Sequence, residues 1–316
     1  MRLAKGTRRS PTTVFVVDDN FIGNKKEIKK ILRHLIAWLK TKGYPLTFVT
    51  EASLDLADDD ELMRLMVDAN FNGVFVGIES TNEDALRETK KTQNKRLGGT
   101  LTEKVRRIHD AGLEVWAGMI VGFDSDTDAV FDSQRRFIES APIGMPMAGM
   151  LSAIPKTPLY ARLAKEGALD PLDSPSFGTN VLPLQMSRET LSRGYARLMK
   201  DLYEPKAFFD RVDELWLNGP LVAEPGWRFV ATHPWARLRK HVRSWLEACI
   251  LMARMMLLLR DRSLRKIYLR RILGVLRRRP DGVLLKLYAI RCATHFHLHQ
   301  LTRQLRTHDG SLLNTY

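Results

Sequence analysis

The sequence predicts an α/β protein: a partial (β/α) TIM-like barrel of about five parallel strands, followed by a mainly α-helical C-terminal domain. Three observations predict it. From residue 14 to 166, short β-branched runs alternate with amphipathic stretches at a spacing of roughly thirty residues, the rhythm of βα units. Helical periodicity resumes at Ser187 and dominates the remainder. The formal net charge of +14 is also divided unevenly: from Trp235 to Arg306, 18 Lys and Arg face only Glu247, Asp261 and Asp281, which leaves the rest nearly neutral. A chain of 316 residues, 44% hydrophobic and 27% charged, is excluded from the disordered, collagen-like and disulfide-stapled classes.

The strand candidates are Val14–Val17, Leu46–Thr50, Gly73–Gly77, Val115–Val121 and Ala148–Ala153, with helices near 24–42, 59–69, 101–111 and 127–140. Asn24 can cap the first helix and Gly43 can end it, because an amide oxygen accepts from orphan N–H groups and glycine adopts the left-handed conformation. Asp58, Asp59 and Asp60 place carboxylates at the positive end of the second helix. Thr100 or Thr102 opens the third, which stops at Ala111-Gly112. Right-handed crossovers between five such strands fit part of a barrel or a doubly wound sheet. Residues 167–234 form a connecting region holding a helix over 187–217, and residues 235–316 form the basic helical domain, broken at Arg277-Arg-Arg-Pro280-Asp-Gly282. The longest apolar stretch, Trp245 to Leu259, contains Glu247 and Arg254 and is shorter than the ~20 residues that cross a bilayer. Met1 to Arg9 is followed by no apolar signal core, and two cysteines, Cys249 and Cys292, form neither a disulfide framework nor a metal knuckle. A cytoplasmic setting is the expectation.

Ligands of parallel α/β folds sit where strands end. The residues that directly follow the five strands are Asp18-Asp19-Asn20, Glu51, Glu79-Ser80, Gly122-Phe-Asp124 and Ile154-Pro155. Acids in succession at one rim repel one another unless a cation or hydrogen bonds offset them. Asp19, Glu51 and Glu79 can therefore hold a divalent metal, or a ligand bearing an ammonium, a sulfonium and a ribose diol. The bland alternative is that Asp18, Glu51 and their neighbours merely cap the following helices.

The motifs Val14-Phe-Val-Val-Asp-Asp-Asn-Phe21 with Gly23, Phe48-Val-Thr-Glu-Ala-Ser53, Gly73-Val-Phe-Val-Gly-Ile-Glu-Ser80, Ala117-Gly-Met-Ile-Val-Gly-Phe123 and Leu151-Ser-Ala-Ile-Pro-Lys-Thr-Pro-Leu-Tyr160 resemble, in order and spacing, the strand motifs of radical S-adenosylmethionine enzymes of the cobalamin-binding type. The region after Pro155, with Met186-Ser-Arg-Glu and Arg270-Arg271…Arg277-Arg-Arg-Pro, resembles the uncharacterised helical domain of one branch of that family. The resemblance implies that Asp18, Asp19 and Asn20 contact the methionine amino end of S-adenosylmethionine, and that Glu79 with Ser80 contacts its ribose or methionine part. It implies that Gly118, Ile120 and Gly122 pack along the adenine and that Ile154 and Pro155 close the other side of the base. The family's [4Fe-4S] cluster is held by a CxxxCxxC loop, and no such loop occurs in this sequence. The expectation is therefore that residues 1–166 lack the first barrel strand and the cluster loop. The chain would be the C-terminal portion of a longer or split enzyme, inactive alone, with cluster and cobalamin supplied by a missing N-terminal portion or partner chain. The reaction implied is methylation or a related modification at an unactivated carbon, with a lipid among the substrates that the resemblance allows. The alternatives are a non-catalytic binding or scaffold remnant and a metal-dependent barrel enzyme using Asp19, Glu51 and Glu79.

In the basic tail, Leu238, Val242, Trp245, Leu246, Cys249, Ile250 and Ala253 recur at three- and four-residue intervals between arginines. Such a stripe either packs on the barrel or lies on an anionic membrane, which would place the protein peripherally at the inner membrane face. Nucleic acid is disfavoured because the aromatics are not interleaved as stacking platforms. His295 and His299 share a helix face, but without a third ligand a core or surface role is expected, and His297 points elsewhere. The first strand's outer edge exposes unpaired backbone groups and is a candidate for oligomerisation.

Overall fold

The computed structural model describes residues 12–88, 99–170, 178–221 and 233–307. The sequence readings on residues 1–11, and on residues 171–177 and 222–232 of the connecting region, lie outside them. Five strands, β1 (Thr12–Val16), β2 (Leu46–Glu51), β3 (Phe71–Glu79), β4 (Glu114–Val121) and β5 (Ile143–Met150), form one sheet. It is parallel throughout, and its spatial order is the chain order β1-β2-β3-β4-β5. A doubly wound sheet reverses its strand order at a switch point. This one does not, so of the two architectures open to the sequence it is the barrel segment.

The crossovers are α1 (Lys25–Lys42), a 3-10 turn (Leu54–Asp58) with α2 (Asp60–Asp68), α3 (Glu83–Glu88) with α4 (Leu101–Asp110), and α5 (Ala129–Ser140). Their caps follow the local chemistry. Asn24 accepts from the Glu27 N–H, Asp59 from that of Leu62, and Thr100 forms a reciprocal capping box with Glu103. Asp58 is instead drawn to the buried Lys104 ammonium at 3.1 Å, tying the turn after β2 to α4. The helices cover one face of the sheet, burying Val74, Val76, Ile78, Val115, Ala117 and Val121.

β5 departs from its predicted span: it is Ile143–Met150, five residues earlier than Ala148–Ala153. Pro146 lies within it and Pro142 immediately before it. A proline is tolerated on an edge strand because its missing donor would face away from the neighbour, and β5 pairs only with β4 among the described residues. The outward carbonyls of that edge find other donors. The Tyr203 hydroxyl donates to Pro146 O at 2.5 Å and the Tyr195 hydroxyl to Ala148 O at 3.2 Å. Tyr195 lies in the middle of α7 (Arg188–Leu202) and Tyr203 is the residue after it, so a helix closes the edge where a sixth strand would pair.

Beyond α6 (Pro158–Glu166) and α7 come α8 (Pro205–Val212), a π-helical turn (Asp213–Asn218), α9 (Pro234–Leu258), α10 (Arg262–Arg278) and α11 (Gly282–Thr307). The helix expected over 187–217 is interrupted at Glu204, where Pro205 restarts it and the Glu204 carboxylate caps it. The tail is also broken at 259–261, a break the sequence reading passed over, where Asp261 accepts from the Ser263 and Leu264 N–H groups. The break at Pro280 stands as expected, with Asp281 accepting from Val283 and Leu284.

These helices share one apolar core with the barrel. Arg291 of α11 pairs with Glu114 at the start of β4, both nearly buried, and its guanidinium lies 6.0 Å from the Trp216 ring. Gly144 on β5 leaves the room this needs: a Cβ there would meet the Glu114 carboxylate. His295, fully buried, bridges Tyr268 and the backbone of Tyr203. A carbonyl only accepts, so Nε2 carries the proton toward Tyr203 O at 3.2 Å, and Nδ1 accepts from the Tyr268 hydroxyl at 2.6 Å.

Two predictions follow from this core. Arg291→Met leaves the Glu114 carboxylate buried without its cation and should cost about 3–5 kcal/mol in urea unfolding, with much of the loss recovered in Arg291→Met/Glu114→Gln. Burial, reinforced by His299, pushes His295 down to about 4. The folded state therefore refuses a proton that the unfolded chain accepts below about 6.5, and stability present above that pH is lost as pH falls through 4. The unfolding free energy should drop by about 3 kcal/mol across that window, and His295→Gln should remove that component of the pH dependence.

Candidate functional site

The C-terminal ends of the five parallel strands line one rim, and the side of the sheet away from the helices is only partly covered. Phe75, Gly77, Glu79, Trp116, Gly118, Ile120, Met145, Met147 and Gly149 on that side are all partly accessible, whereas their neighbours in sequence are buried. Register aligns Gly77 with Gly118 and Met147, and Ile120 with Gly149. The result is a flat, apolar floor below the rim. The Phe75 ring occupies the space above Gly118, where a Cβ would lie 2.7 Å from it.

The acids of the rim separate by role. The Asp18 carboxylate accepts from the Asn20 N–H at 2.9 Å, the local turn that the bland alternative expects. Asn20 in turn accepts from the Ser53 N–H at 3.1 Å and joins the loops after β1 and β2. Asp19 is exposed, and neither its carboxylate nor that of half-buried Glu51 has a hydrogen-bond or ion-pair partner among the described residues. Glu79 ends β3 with φ 65, a left-handed conformation that side chains rarely adopt. It follows a register shift between Gly77 and Glu79, and the Ser80 N–H donates to Ile78 O at 2.9 Å across it. That three-residue turn is the strained sense, and strain of this kind is held where the surroundings over-determine it. Ser80 is fully buried and its hydroxyl accepts from the Asn82 N–H at 3.0 Å.

After β4, Gly122 adopts φ 101, and the N–H groups of Gly122 and Phe123 both donate to the buried Asp126 carboxylate at 2.9 and 3.1 Å. After β5, Asn180 clamps the chain from both sides, accepting from the Ala153 N–H and donating to Ala153 O, each at 2.8 Å. The sequence reading missed both residues. Asp126 stands four residues past Gly122, where an acid can fold back on the turn, whereas nothing local marks Asn180, 27 residues from its partner. Ile154 and Pro155 do not directly follow the strand, as read from the sequence: β5 ends at Met150, and both are exposed in a turn closed by the Thr157 N–H to Ile154 O.

Among the described residues, no three His, Cys, Asp or Glu side chains are placed to share a metal ion. Register explains why the proposed acid triad does not form: Glu51 is level with Phe75, four residues before Glu79, or roughly 13 Å along the strand. His295 is a core side chain with both nitrogens engaged, while His297 is exposed. The cysteines do not fit an iron–sulfur cluster. Cys249 is exposed and Cys292 is buried on different helices, and burial pushes the Cys292 thiol far above its usual range. A separate cavity of about 490 Å3 lies at the opposite, N-terminal end of β5, lined by Arg106, Pro142, Ile143, Lys206, Arg211 and Leu215 among others. Sequence reasoning did not mark it.

The Glu79 backbone supplies a test. Glu79→Val, β-branched at positive φ, should cost about 1–3 kcal/mol more than Glu79→Asn, which tolerates that conformation, when both are compared by thermal or urea unfolding.

Residues 157–310 match a family model described as a domain of unknown function, DUF4070. An uncharacterized methyltransferase of Synechocystis sp. is 42% identical over 65% of this chain and 38% of its own length. The hopanoid C-2 methylase of Rhodopseudomonas palustris is 36% identical over 64% of this chain and 37% of its own length. The chain thus spans less than two fifths of the length of either relative. A solved radical S-adenosylmethionine methyltransferase from Kitasatospora setae, with cobalamin and a [4Fe-4S] cluster bound, aligns at a TM-score of 0.44 with 19% identity, over 58% of this chain and 37% of that one. That likeness is too slight to argue from. The helical-domain match and the two curated relatives agree with the resemblance that the strand motifs carry: the chain is similar to methyltransferases over nearly two thirds of its length and to the DUF4070 domain over its helical region.

Proposed function

We propose that this chain supplies the S-adenosylmethionine-facing part of a barrel that methylates an unactivated carbon, with a lipid as the substrate class. The observation that carries the reading is the division of the strand-end rim: carboxylates at Asp19 and Glu51 without a partner among the described residues on the β1 and β2 side, and an apolar floor with Gly77, Gly118 and Gly149 on the β3 to β5 side. A ligand with a cationic methionine end and a flat base needs those two surfaces side by side. Asp19 and Glu51 would face the ammonium and sulfonium, and Glu79 with Ser80 the ribose. Gly118, Ile120 and Gly122 would lie along the base, with Phe75 moving aside from Gly118. Ile154 and Pro155 would close over it from their exposed turn. The relative named for hopanoid C-2 methylation supports the lipid class.

The cluster that would supply the electron for reductive cleavage is not held by these 316 residues, which contain two cysteines. Its ligands, and any cobalamin, would come from another part of a longer protein or from a partner chain. A rival reading, a binding remnant without chemistry, is favoured by that same absence and separates cleanly by experiment.

Equilibrium dialysis with S-adenosylmethionine and its neutral-sulfur analogue S-adenosylhomocysteine tests the site. The sulfonium form should bind more tightly, and Asp19→Asn and Glu51→Gln should each weaken it roughly tenfold, about 1.4 kcal/mol, while narrowing the difference between the two ligands. No binding, or binding indifferent to both substitutions, would overturn the site. Anaerobic reconstitution with a cysteine-loop-bearing portion of a relative, scored by methyl transfer, then separates the enzyme portion from the remnant.

A further inference from the structure

The outer face of α9 is an unpartnered apolar stripe. Trp235, Leu238, Val242, Leu246, Ile250 and Leu257 recur at three-, four- and seven-residue intervals and are all exposed, Trp235 at 84% and Leu246 at 62%. The opposite face of the same helix packs inward through Ser244, Ala248, Met252 and Met255, with Trp245 at its margin. The helix spans 25 residues, about 37 Å. Soluble surfaces seldom leave so long an aliphatic row open to water, and an exposed row of this kind marks a contact.

Charge says which contact. Arg239 and Arg254 flank the stripe and Arg237 stands at its start, none with an ion pair among the described residues. The helix's one acid, Glu247, is already shared by Arg243 and Lys286. The helical region carries a surplus of 15 positive charges over 235–306. No helix is long and apolar enough to cross a membrane among the described residues. A convex, narrow aliphatic ridge beside uncompensated guanidiniums complements a planar, deformable, negatively charged surface better than a shaped protein groove.

We propose that α9 lies on the surface of an anionic lipid bilayer, with Leu238, Val242, Leu246 and Ile250 inserted among the acyl chains and the flanking arginines at the lipid phosphates. This stands independently of the methyl-transfer reading, because it rests on none of the residues of the strand-end rim and would hold for a non-catalytic protein.

Cys249 supplies the probe. It is exposed on the stripe, while Cys292 is buried, so a thiol-reactive environment-sensitive dye labels one position. The labelled full chain is mixed with vesicles of phosphatidylcholine alone, or of phosphatidylcholine with phosphatidylglycerol, and sedimented. The expected result is co-sedimentation and a blue-shifted emission with the anionic vesicles only, weakened by roughly tenfold or more in high salt. Leu238→Glu/Leu246→Glu, at exposed positions that leave the core intact, should abolish both signals while the unfolding midpoint is unchanged. Binding indifferent to lipid charge, or retained by the double variant, overturns the proposal. So does a blue shift that rises with protein concentration in the absence of vesicles, which would assign the stripe to a second copy of the chain.

Discussion

A carboxylate buried at the foot of a parallel strand has few ways to remain there. Glu114 opens β4 beneath the apolar face of the sheet, and its charge is tolerable only because Arg291 arrives from α11, 177 residues later in the chain. That pair sets much of the architecture around it. It requires Gly144 on the neighbouring strand, whose missing side chain leaves space for the carboxylate. It draws α11 against the barrel, where the Arg291 guanidinium also lies by the Trp216 ring. The helices so anchored bring Tyr203 and Tyr195 to the free carbonyls of β5. A buried ion pair is poor as a source of net stability but costly to break, so its effect is to fix one docking of the helical region and penalise others.

The two edges of the sheet are treated differently as a consequence. β5 ends the sheet against helices that occupy its hydrogen-bonding groups. β1 pairs only with β2 among the described residues and leaves Phe15 exposed, with Val17 just beyond it at 85% exposure. The functional rim between the edges inherits an open inner face, with acids toward β1 and glycines toward β4 and β5. Polar ends and flat apolar surface are therefore separated along the strand order, and a ligand with those two halves has one orientation in which both are met.

Much of this was legible in the sequence where the physics is local. The caps Asn24, Asp59, Thr100 and Ser187 each accept from an N–H within three residues, so their signal needs no tertiary information. Four strands were legible from β-branched runs. β5 was displaced: its span holds Pro146, a residue disfavoured in a central strand and tolerated at an edge, and edge position is a property of the assembled sheet. The stripe on α9 was visible as periodicity, yet whether it met the barrel or water was not: an amphipathic helix has one apolar face by pattern, and here a second face, through Ser244, Ala248 and Met255, does the packing.

The sequence by itself determined the βα rhythm, the concentration of positive charge after residue 235, the succession of acids at strand ends and the lack of a three-cysteine loop. Each of these depends on residue type and near-neighbour spacing. Only the tertiary structure decided that Asp18 serves its own turn while Asp19 and Glu51 stand unpaired among the described residues, that Glu79 is held at positive φ, and that Asp126 and Asn180 shape the rim. It also decided that His295 is a core side chain between two tyrosines rather than a metal ligand. Those outcomes depend on register, on burial and on partners tens to hundreds of residues away, quantities that a linear pattern does not contain.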